Sequence, residues 1–184
     1  NMPALLEHID PNGLEEFSVV FTDRSLNHMS KEFQKVMCDL SSNLKEVYNA
    51  NAVVLVPGGG TFGMEAVARQ FGMDASVLVI RNGWFSYRWS QIFESAANAR
   101  STTVVKARMI GNESVAPFRP ADVNDVIEKI KTEKPNIVFA PHVETSAGVI
   151  LPDEYIKKVS TAAHEVGALM AVSYTHLRAH ETPR

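Results

Sequence analysis

Residues 52–67 read AVVLVPGGGTFGMEAV, and this stretch decides the fold. Five apolar residues come first, a proline and three glycines follow, and a helical pattern then begins. A buried strand, a glycine turn and a helix in this order are typical of the opening unit of an α/β fold. Backbone N–H groups of such a turn, together with the positive end of the helix, bind phosphate groups. The stretch therefore predicts a parallel sheet and a phosphate site.

The rest of the chain alternates short runs rich in Val, Ile and Leu with amphipathic helical patterns. We expect strands at 52–56, 76–80, 102–105, 136–140 and 168–172, and helices at 29–48, 61–71, 86–97, 121–132 and 153–166. Ser30 is expected to cap the first helix, and residues 109–120 to form a surface loop. Strands that alternate with helices require crossover connections, so the predicted fold class is α/β, a three-layer doubly wound domain with a mostly parallel sheet.

Composition and charge favour a globular domain that acts on small molecules. The 184 residues are 45% hydrophobic and 21% charged, with a formal net charge of -3 and no basic cluster, which argues against nucleic acid as the main partner. No apolar stretch is long enough to span a bilayer, so we expect a cytoplasmic protein without a membrane partner. The single cysteine, Cys38, excludes an internal disulfide and a cysteine zinc site, and we expect it to be half-buried in a helix.

The glycine turn also matches a second kind of phosphate site. Gly58, Gly60 and Gly63 satisfy the G-x-G-x-x-G fingerprint of dinucleotide-binding domains. Such domains carry an acidic residue at the end of the next strand to hold a ribose, whereas this chain has Arg81 there. Arginine is compatible with a 2′-phosphate, so an NADP-dependent reductase is an alternative, although Pro57 between strand and glycines disfavours it.

Three segments between residues 28 and 171, taken together, resemble the class V aminotransferases. These are pyridoxal-phosphate enzymes of fold type I and include the alanine–glyoxylate and serine–pyruvate aminotransferases. The first segment, GGGT at 58–61, resembles the G-S-G-[TH] turn that binds the cofactor phosphate in that family, with a glycine in place of the serine. The resemblance implies that Gly59, Gly60 and Thr61 bind the phosphate of pyridoxal 5′-phosphate.

The second segment, NGWFSYRW at 82–89, resembles the family's N-G-x-[FW]-G-x-R. By register, Phe85 is the aromatic residue that would stack on the pyridine ring of the cofactor. Trp84 is then expected to be a packing residue, and Arg88 to be a structural ion-pair or cap partner rather than a substrate clamp.

The third segment, HVETSAGV at 142–149, resembles the family's H-x-E-[ST]-S-T-G. The resemblance implies that the Thr145 hydroxyl contacts the phenolic oxygen of the cofactor and that His142 and Glu144 brace the loop. Taken alone, His142 and Glu144 would also suit a metal pair or a general base. Because no second histidine follows at helical spacing, we expect no metal site.

The end of the chain departs from the family. The predicted strand at 168–172 should lead into an aspartate that pairs with the pyridine nitrogen, but Ser173 follows instead. Residues 172–182 read as the in-frame translation of a transposase-type sequencing adapter. We therefore expect residues 172–184 to be a non-native tail, which is excluded from reasoning about the fold.

The predicted organisation is an N-terminal arm at 1–30, a partial cofactor-binding large domain at 31–171 and the tail at 172–184. The resemblance implies a homodimeric parent enzyme that moves an amino group from an alanine- or serine-like amino acid to a glyoxylate- or pyruvate-like keto acid. The lysine that forms the Schiff base lies further downstream in the family, so this chain is expected to have no catalytic residue and to be inactive. Cysteine desulfurases, kynureninases and a cofactor-free binding protein remain alternatives.

Overall fold

The computed structural model describes residues 28–174, which contain five α-helices and a four-stranded parallel sheet. The helices are α1 (Lys31–Tyr48), α2 (Gly60–Gly72), α3 (Trp84–Ile92), α4 (Val123–Glu133) and α5 (Asp153–Glu165), and a π-helical turn, Phe93–Ala97, extends α3. The strands are β1 (Ser76–Arg81), β2 (Ser101–Lys106), β3 (Arg108–Met109), β4 (Phe118–Arg119), β5 (Ile137–Pro141), β6 (Val143–Glu144), β7 (Val149–Ile150) and β8 (Leu169–Ser173).

The chain divides into two compact units, residues 1–56 and residues 57–184. Helix α1 is the regular element described in the first unit, and the Phe33 amide donates to Ser30 Oγ at 3.1 Å, which confirms the predicted cap. No residue of α1 is buried. Cys38 is exposed, so the prediction that it is half-buried was wrong; Val36 and Leu40 beside it are also exposed, each at 43%.

The main sheet of the second unit has the strand order β2-β1-β5-β8, and every pair in it is parallel. Alternate residues of β1 and β5 face opposite sides, as the pleat of a strand requires. One side packs on α4 and α5 through Leu78, Ile80, Val138 and Ala140, and the other packs on α2 and α3 through Val77, Val79, Ile137 and Phe139. The predicted three-layer α/β arrangement with a parallel sheet is therefore confirmed.

The strand predicted at 52–56 is absent. These residues form no ladder with any strand of the described chain, and Val54 is 82% exposed. An apolar run becomes a strand only when a neighbouring backbone satisfies its N–H and C=O groups, which the composition of the run does not ensure. The composition of this run was therefore insufficient to place it in the sheet.

Two small antiparallel ladders escaped prediction. β3 pairs with β4 across the loop expected at 109–120, and β6 pairs with β7 directly after β5. Each strand has two residues, which is too short to leave a periodic pattern in the sequence. The second ladder matters for the site, because it brings residues 144–148 to the carboxyl end of the sheet beside the loop that follows β1.

Candidate functional site

The buried carboxylate of Glu144 organises the carboxyl edge of the sheet. Glu144 is fully buried in β6, yet it lies against the first turn of α3. Its Oε1 accepts the Phe85 amide at 3.0 Å, and its Oε2 accepts the Ser86 amide at 2.8 Å and the Ser86 hydroxyl at 2.5 Å. Ser146 Oγ donates to Oε1 and accepts the Trp84 amide at 2.8 Å. Glu144 therefore caps α3 from a segment 58 residues away.

Gly83 allows this approach. A Cβ atom at Gly83 would lie 2.6 Å from Ser146 Oγ and 2.7 Å from Glu144 Cγ, so any larger residue would push the third segment away from α3. Ser86 completes the turn, because its Oγ accepts the amides of Asn82 at 2.8 Å and Gly83 at 3.1 Å. The N-G-x-x-S spacing of the second segment thus builds a turn that receives the carboxylate.

The environment of Glu144 favours its charged form. Burial by itself would raise the pKa of this carboxyl, but hydrogen bonds from Ser146, from the Ser86 hydroxyl and from the amides of Ser86 and Phe85 outweigh burial and lower the pKa below its ordinary value of 4.5. Because the folded-state pKa is lowered, the stabilisation is complete above the ordinary pKa and is lost as the pH falls through the folded-state pKa. At neutral pH, Glu144 is an anion with every carboxylate oxygen hydrogen-bonded.

The glycine turn presents free donors to open space. Gly58 has φ +122°, Gly59 is the N-cap, and α2 begins at Gly60 with no acidic residue in its first turn. A Cβ atom at Gly59 or Gly60 would meet nothing within 4 Å. Among the described residues, nothing accepts a hydrogen bond from the amides of Gly60 and Thr61. A helix of 13 residues with uncapped amides and clear space ahead of it fits a phosphate group.

Arg88 joins the glycine turn to α3. Its Nη1 donates to Thr61 Oγ1 at 2.5 Å, a hydrogen bond to a hydroxyl in place of the ion pair or cap that we expected. A hydroxyl has one proton to donate and two lone pairs, so Thr61 can accept from Arg88 and still donate to a phosphate oxygen. The first and second segments of the family pattern are therefore held together by a charge-assisted hydrogen bond.

The remaining predicted site residues lie around the same network. Phe85 is in the first turn of α3 with its side chain 38% exposed, and its amide is bound by Glu144. Thr145 is exposed in the turn between β6 and β7, immediately after Glu144. Hydrogen bonds thus connect the glycine turn, Phe85 and the segment that carries Thr145.

Ser173 occupies the end of β8, in register with Pro141 of β5. Its carbonyl accepts the amide of His142 at 2.9 Å, so the position of the expected aspartate lies at the same strand ends as the third segment. The imidazole of His142 is nearly buried, and its Nε2 lies 3.5 Å from Asp153 Oδ1. The bracing role that the resemblance implied for His142 stays a prediction.

Sequence reasoning missed the serines and Gly83 as parts of the site. Ser86 stands three residues after Gly83, and Ser146 two residues after Glu144; the first spacing lets the Ser86 hydroxyl accept the N-cap amide of Gly83, which is one half of a capping box, because glycine has no side chain to return the bond. That spacing was a usable signal for a capped helix start. The acidic partner could not be located from local sequence, because it comes from a distant segment.

Two other expectations concern metals and membranes. Within residues 28–174 no group of three or more His, Cys, Asp or Glu side chains is arranged to hold a metal ion. None of the helices in that same range is long and apolar enough to cross a membrane.

The dinucleotide alternative lacks its structural context. The fingerprint requires a strand before the glycines, and residues 52–56 form none in the described structure. Arg81 lines a cavity to which Gly58, Gly60 and Gly63 contribute nothing. The two features that suggested NADP therefore do not form one site.

Comparison with known proteins points to one family. The family model described as Aminotransferase class-V matches residues 14–181. No curated protein sequence matches the chain. Among solved structures, the ureidoglycine–glyoxylate aminotransferase of Bacillus subtilis is 26% identical with a TM-score of 0.63, over 77% of this chain and 34% of that one.

Two further solved structures share the fold. The alanine–glyoxylate aminotransferase of Nostoc sp. is 22% identical with a TM-score of 0.62, over 80% of this chain and 36% of that one. The pyridoxamine–pyruvate aminotransferase of Mesorhizobium loti is 18% identical with a TM-score of 0.65, over 80% of this chain and 35% of that one. The chain thus spans about a third of the length of the solved structures that it matches.

Replacement of Glu144 tests the cap. We expect Glu144→Gln to lower the free energy of unfolding by about 1–3 kcal/mol at pH 7, because it removes charge-assisted hydrogen bonds from buried groups. The difference from the wild type should stay constant down to about pH 5 and shrink as the pH falls below the ordinary carboxyl pKa. Urea denaturation followed by circular dichroism between pH 7 and pH 3.5 measures it.

The matched control is Glu133→Gln on α4, where the carboxylate is 42% exposed and pairs with Lys129. This change should cost less than about 0.5 kcal/mol at every pH. A Glu144→Gln deficit that keeps its full size at pH 3.5 would show that the charge of Glu144 is not the source of the stabilisation.

Proposed function

The chain belongs to the class V aminotransferase family, and we propose that it is the N-terminal part of an enzyme that transfers an amino group from a small amino acid to an α-keto acid. The observation that carries the proposal is the hydrogen-bonded connection of the three family segments at one end of a parallel sheet. The Arg88–Thr61 bond joins the first to the second, and the bonds of Glu144 to Phe85 and Ser86 join the second to the third.

The cofactor of the family is pyridoxal 5′-phosphate, and the described residues fit its phosphate and its ring. The uncapped amides at Gly60 and Thr61 would hold the phosphate, with Gly59 leaving room for it. Phe85 presents a partly exposed aromatic face for stacking, which would orient the ring and exclude water from that side. When bound, the cofactor supplies an electron sink for the charge that develops as the amino acid loses its α-proton.

Thr145 is proposed to donate its hydroxyl to the phenolic oxygen of the cofactor. In the described structure its side chain is exposed, next in sequence to the fully buried Glu144. The anionic cap fixes the backbone on the Glu144 side of the turn, and the β6–β7 ladder fixes the other side through Val149. A short hydroxyl side chain on a turn anchored at both ends is well suited to hold a ligand atom in a defined position.

The amino donor is proposed to be alanine- or serine-like, and the acceptor glyoxylate- or pyruvate-like. The support is the resemblance of the three segments, together with the Bacillus subtilis structure, whose name includes glyoxylate and whose identity to this chain is 26%. Cysteine desulfurase and kynureninase chemistry are the alternatives within the fold. The aromatic at position 85 within NGWFSYR favours transamination over them.

The chain by itself is proposed to be inactive. Ser173 offers no carboxylate at the position where the family places the partner of the pyridine nitrogen, and the cofactor-binding lysine is expected beyond it. We further propose that residues 172–184 derive from a sequencing adapter and that the complete enzyme is a cytoplasmic homodimer. The coverage of about a third of each solved relative supports the view that much of the enzyme is absent from this sequence.

Sequencing of the source gene tests whether residues 172–184 derive from a sequencing adapter. Amplification from a primer within the codons for residues 136–148 should read through Ala171 into codons for Val and Asp, with a lysine codon a short distance downstream. If the codons for Ser173 to Leu177 are instead present in genomic DNA, the adapter origin of the tail is wrong, and so is the proposal that the natural protein uses pyridoxal phosphate.

The complete protein tests the reaction. With L-alanine and glyoxylate as substrates, we expect pyruvate to form in amounts equal to the glycine produced, as followed by coupling to lactate dehydrogenase. The 184-residue chain, supplied with pyridoxal phosphate, should form none above the uncatalysed background. If the complete protein instead releases sulfide from L-cysteine and needs no keto acid to do so, the proposed transamination is wrong and a cysteine desulfurase reaction takes its place.

Replacement of Phe85 tests the cofactor site by a binding measurement that does not depend on enzymatic activity. In the complete protein we expect Phe85→Ala to weaken pyridoxal phosphate binding by about tenfold, since stacking contributes about 1 kcal/mol beyond the area that it buries. Equilibrium dialysis of the apoprotein measures this. Phe71→Ala, at the far end of α2 and 48% exposed, is the matched control and should bind the cofactor normally. Equal affinity of the two variants would remove Phe85 from the site.

A further inference from the structure

The cavity that Arg81 lines lies at the carboxyl ends of β1 and β2, beside the start of α3. Its volume is about 420 Å³, which is within the range of small-molecule sites. It is lined by Arg81, Asn82, Gly83, Trp84, Tyr87, Lys106, Ala107, Phe118, Ser146 and Ala147. None of Gly59, Gly60, Thr61, Phe85 and Thr145 lines it, although the cavity borders the candidate site through Gly83 and Ser146.

Two cations stand side by side in this cavity. Arg81 and Lys106 are partners in the parallel register of β1 and β2, so their side chains leave the same face of the sheet from strands about 4.8 Å apart. Like charges at paired positions repel each other. No Asp or Glu lines this cavity, and neither residue has an ion pair within the described part of the chain, although Lys106 also lines an adjoining cavity that contains Asp125 and Glu128. An anion bound between them would remove the repulsion.

The neighbouring Arg108, unlike Arg81 and Lys106, has an ion pair in the described structure. Its Nη2 lies 2.6 Å from Asp125 Oδ2, although the Arg108 side chain is 70% exposed. Arg81 instead stacks its guanidinium over the ring of Tyr87, 5.0 Å from the centroid. This contact orients the guanidinium but leaves its charge without a counter-ion.

Aromatic rings form the rest of the wall. Trp84 and Phe118 line the cavity with side chains 59% and 48% exposed, and the ring centroids of Trp84 and Tyr87 are 5.8 Å apart. Exposed rings grouped around a cavity are typical of surfaces that stack on a flat ligand. Asn82 also lines the cavity, and both polar atoms of its carboxamide are buried without a hydrogen-bond partner among the described residues.

We propose that this cavity binds a small planar anion, an aromatic ring that carries a phosphate or carboxylate group. Arg81 and Lys106 hold the anionic group between them, because the planar guanidinium and the ammonium offer several donors to its oxygens. Trp84 and Phe118 cover the ring. The proposal does not rest on the proposed transamination, because the four residues that would bind the anion and its ring, Arg81, Lys106, Trp84 and Phe118, are not among those assigned to the cofactor.

Calorimetric titration of the complete protein, with pyridoxal phosphate present at saturation, tests the proposal with phenyl phosphate, benzoate and inorganic phosphate as probes. We expect one site per chain for phenyl phosphate or benzoate, and the tighter of the two identifies the anionic group. Arg81→Gln and Lys106→Gln should each weaken binding of that probe about tenfold. Trp84→Ala should weaken it severalfold, and inorganic phosphate should bind at least tenfold more weakly than the aryl anion.

The control is Arg108→Gln, which removes the same charge two residues from Lys106 but leaves the cavity lining intact. It should change affinity less than about twofold, because an exposed cation outside the site acts only through screened long-range attraction. Equal losses in Arg108→Gln and Arg81→Gln would overturn the proposal in favour of general electrostatic attraction. Equal affinity for inorganic phosphate and the aryl anions, or no binding of any probe, would also overturn it.

Discussion

The arrangement at the carboxyl edge of the sheet depends on one buried negative charge. A carboxylate removed from water destabilises a protein unless donors surround it, and Glu144 is surrounded by two backbone amides and two serine hydroxyls. Three of those four donors belong to the start of α3. The same bonds that satisfy the charge therefore fix the helix that carries Phe85 and Arg88, and through Arg88 the start of α2.

The sequence predicted all four strands of the main sheet to within one residue, and the two central strands are covered on both faces. β1 and β5 lie between two helix layers, and their unbroken Val, Ile, Leu and Phe residues follow from that position. The apolar run at 52–56 has the same composition but no strand beside it in the described structure. An apolar composition shows that a segment can be buried. A strand also needs a second strand to hydrogen-bond with, and the residues of the run do not determine which segment that is.

The candidate site shows the same division between local and distant information. Gly58–Thr61 and Phe85 could be located because a turn and a helix start have short sequence signatures. Their mutual placement could not, since it depends on hydrogen bonds between segments 27 and 58 residues apart. The cavity at Arg81 and Lys106 was equally hidden, because only the register of β1 and β2 makes those two cations neighbours.

The distance between α3 and its cap has a consequence for the order of events during synthesis. Ser86 leaves the ribosome 58 residues before Glu144, and closing a loop of that length costs conformational entropy before any bond repays it. Until then the first-turn amides of α3 lack their acceptors, because the Ser86 hydroxyl accepts only the amides of Asn82 and Gly83, which precede the helix. Trp89, whose ring centroid lies 4.5 Å from that of Phe139 in β5, also lacks that partner until β5 is made, so α3 exposes apolar surface during that interval.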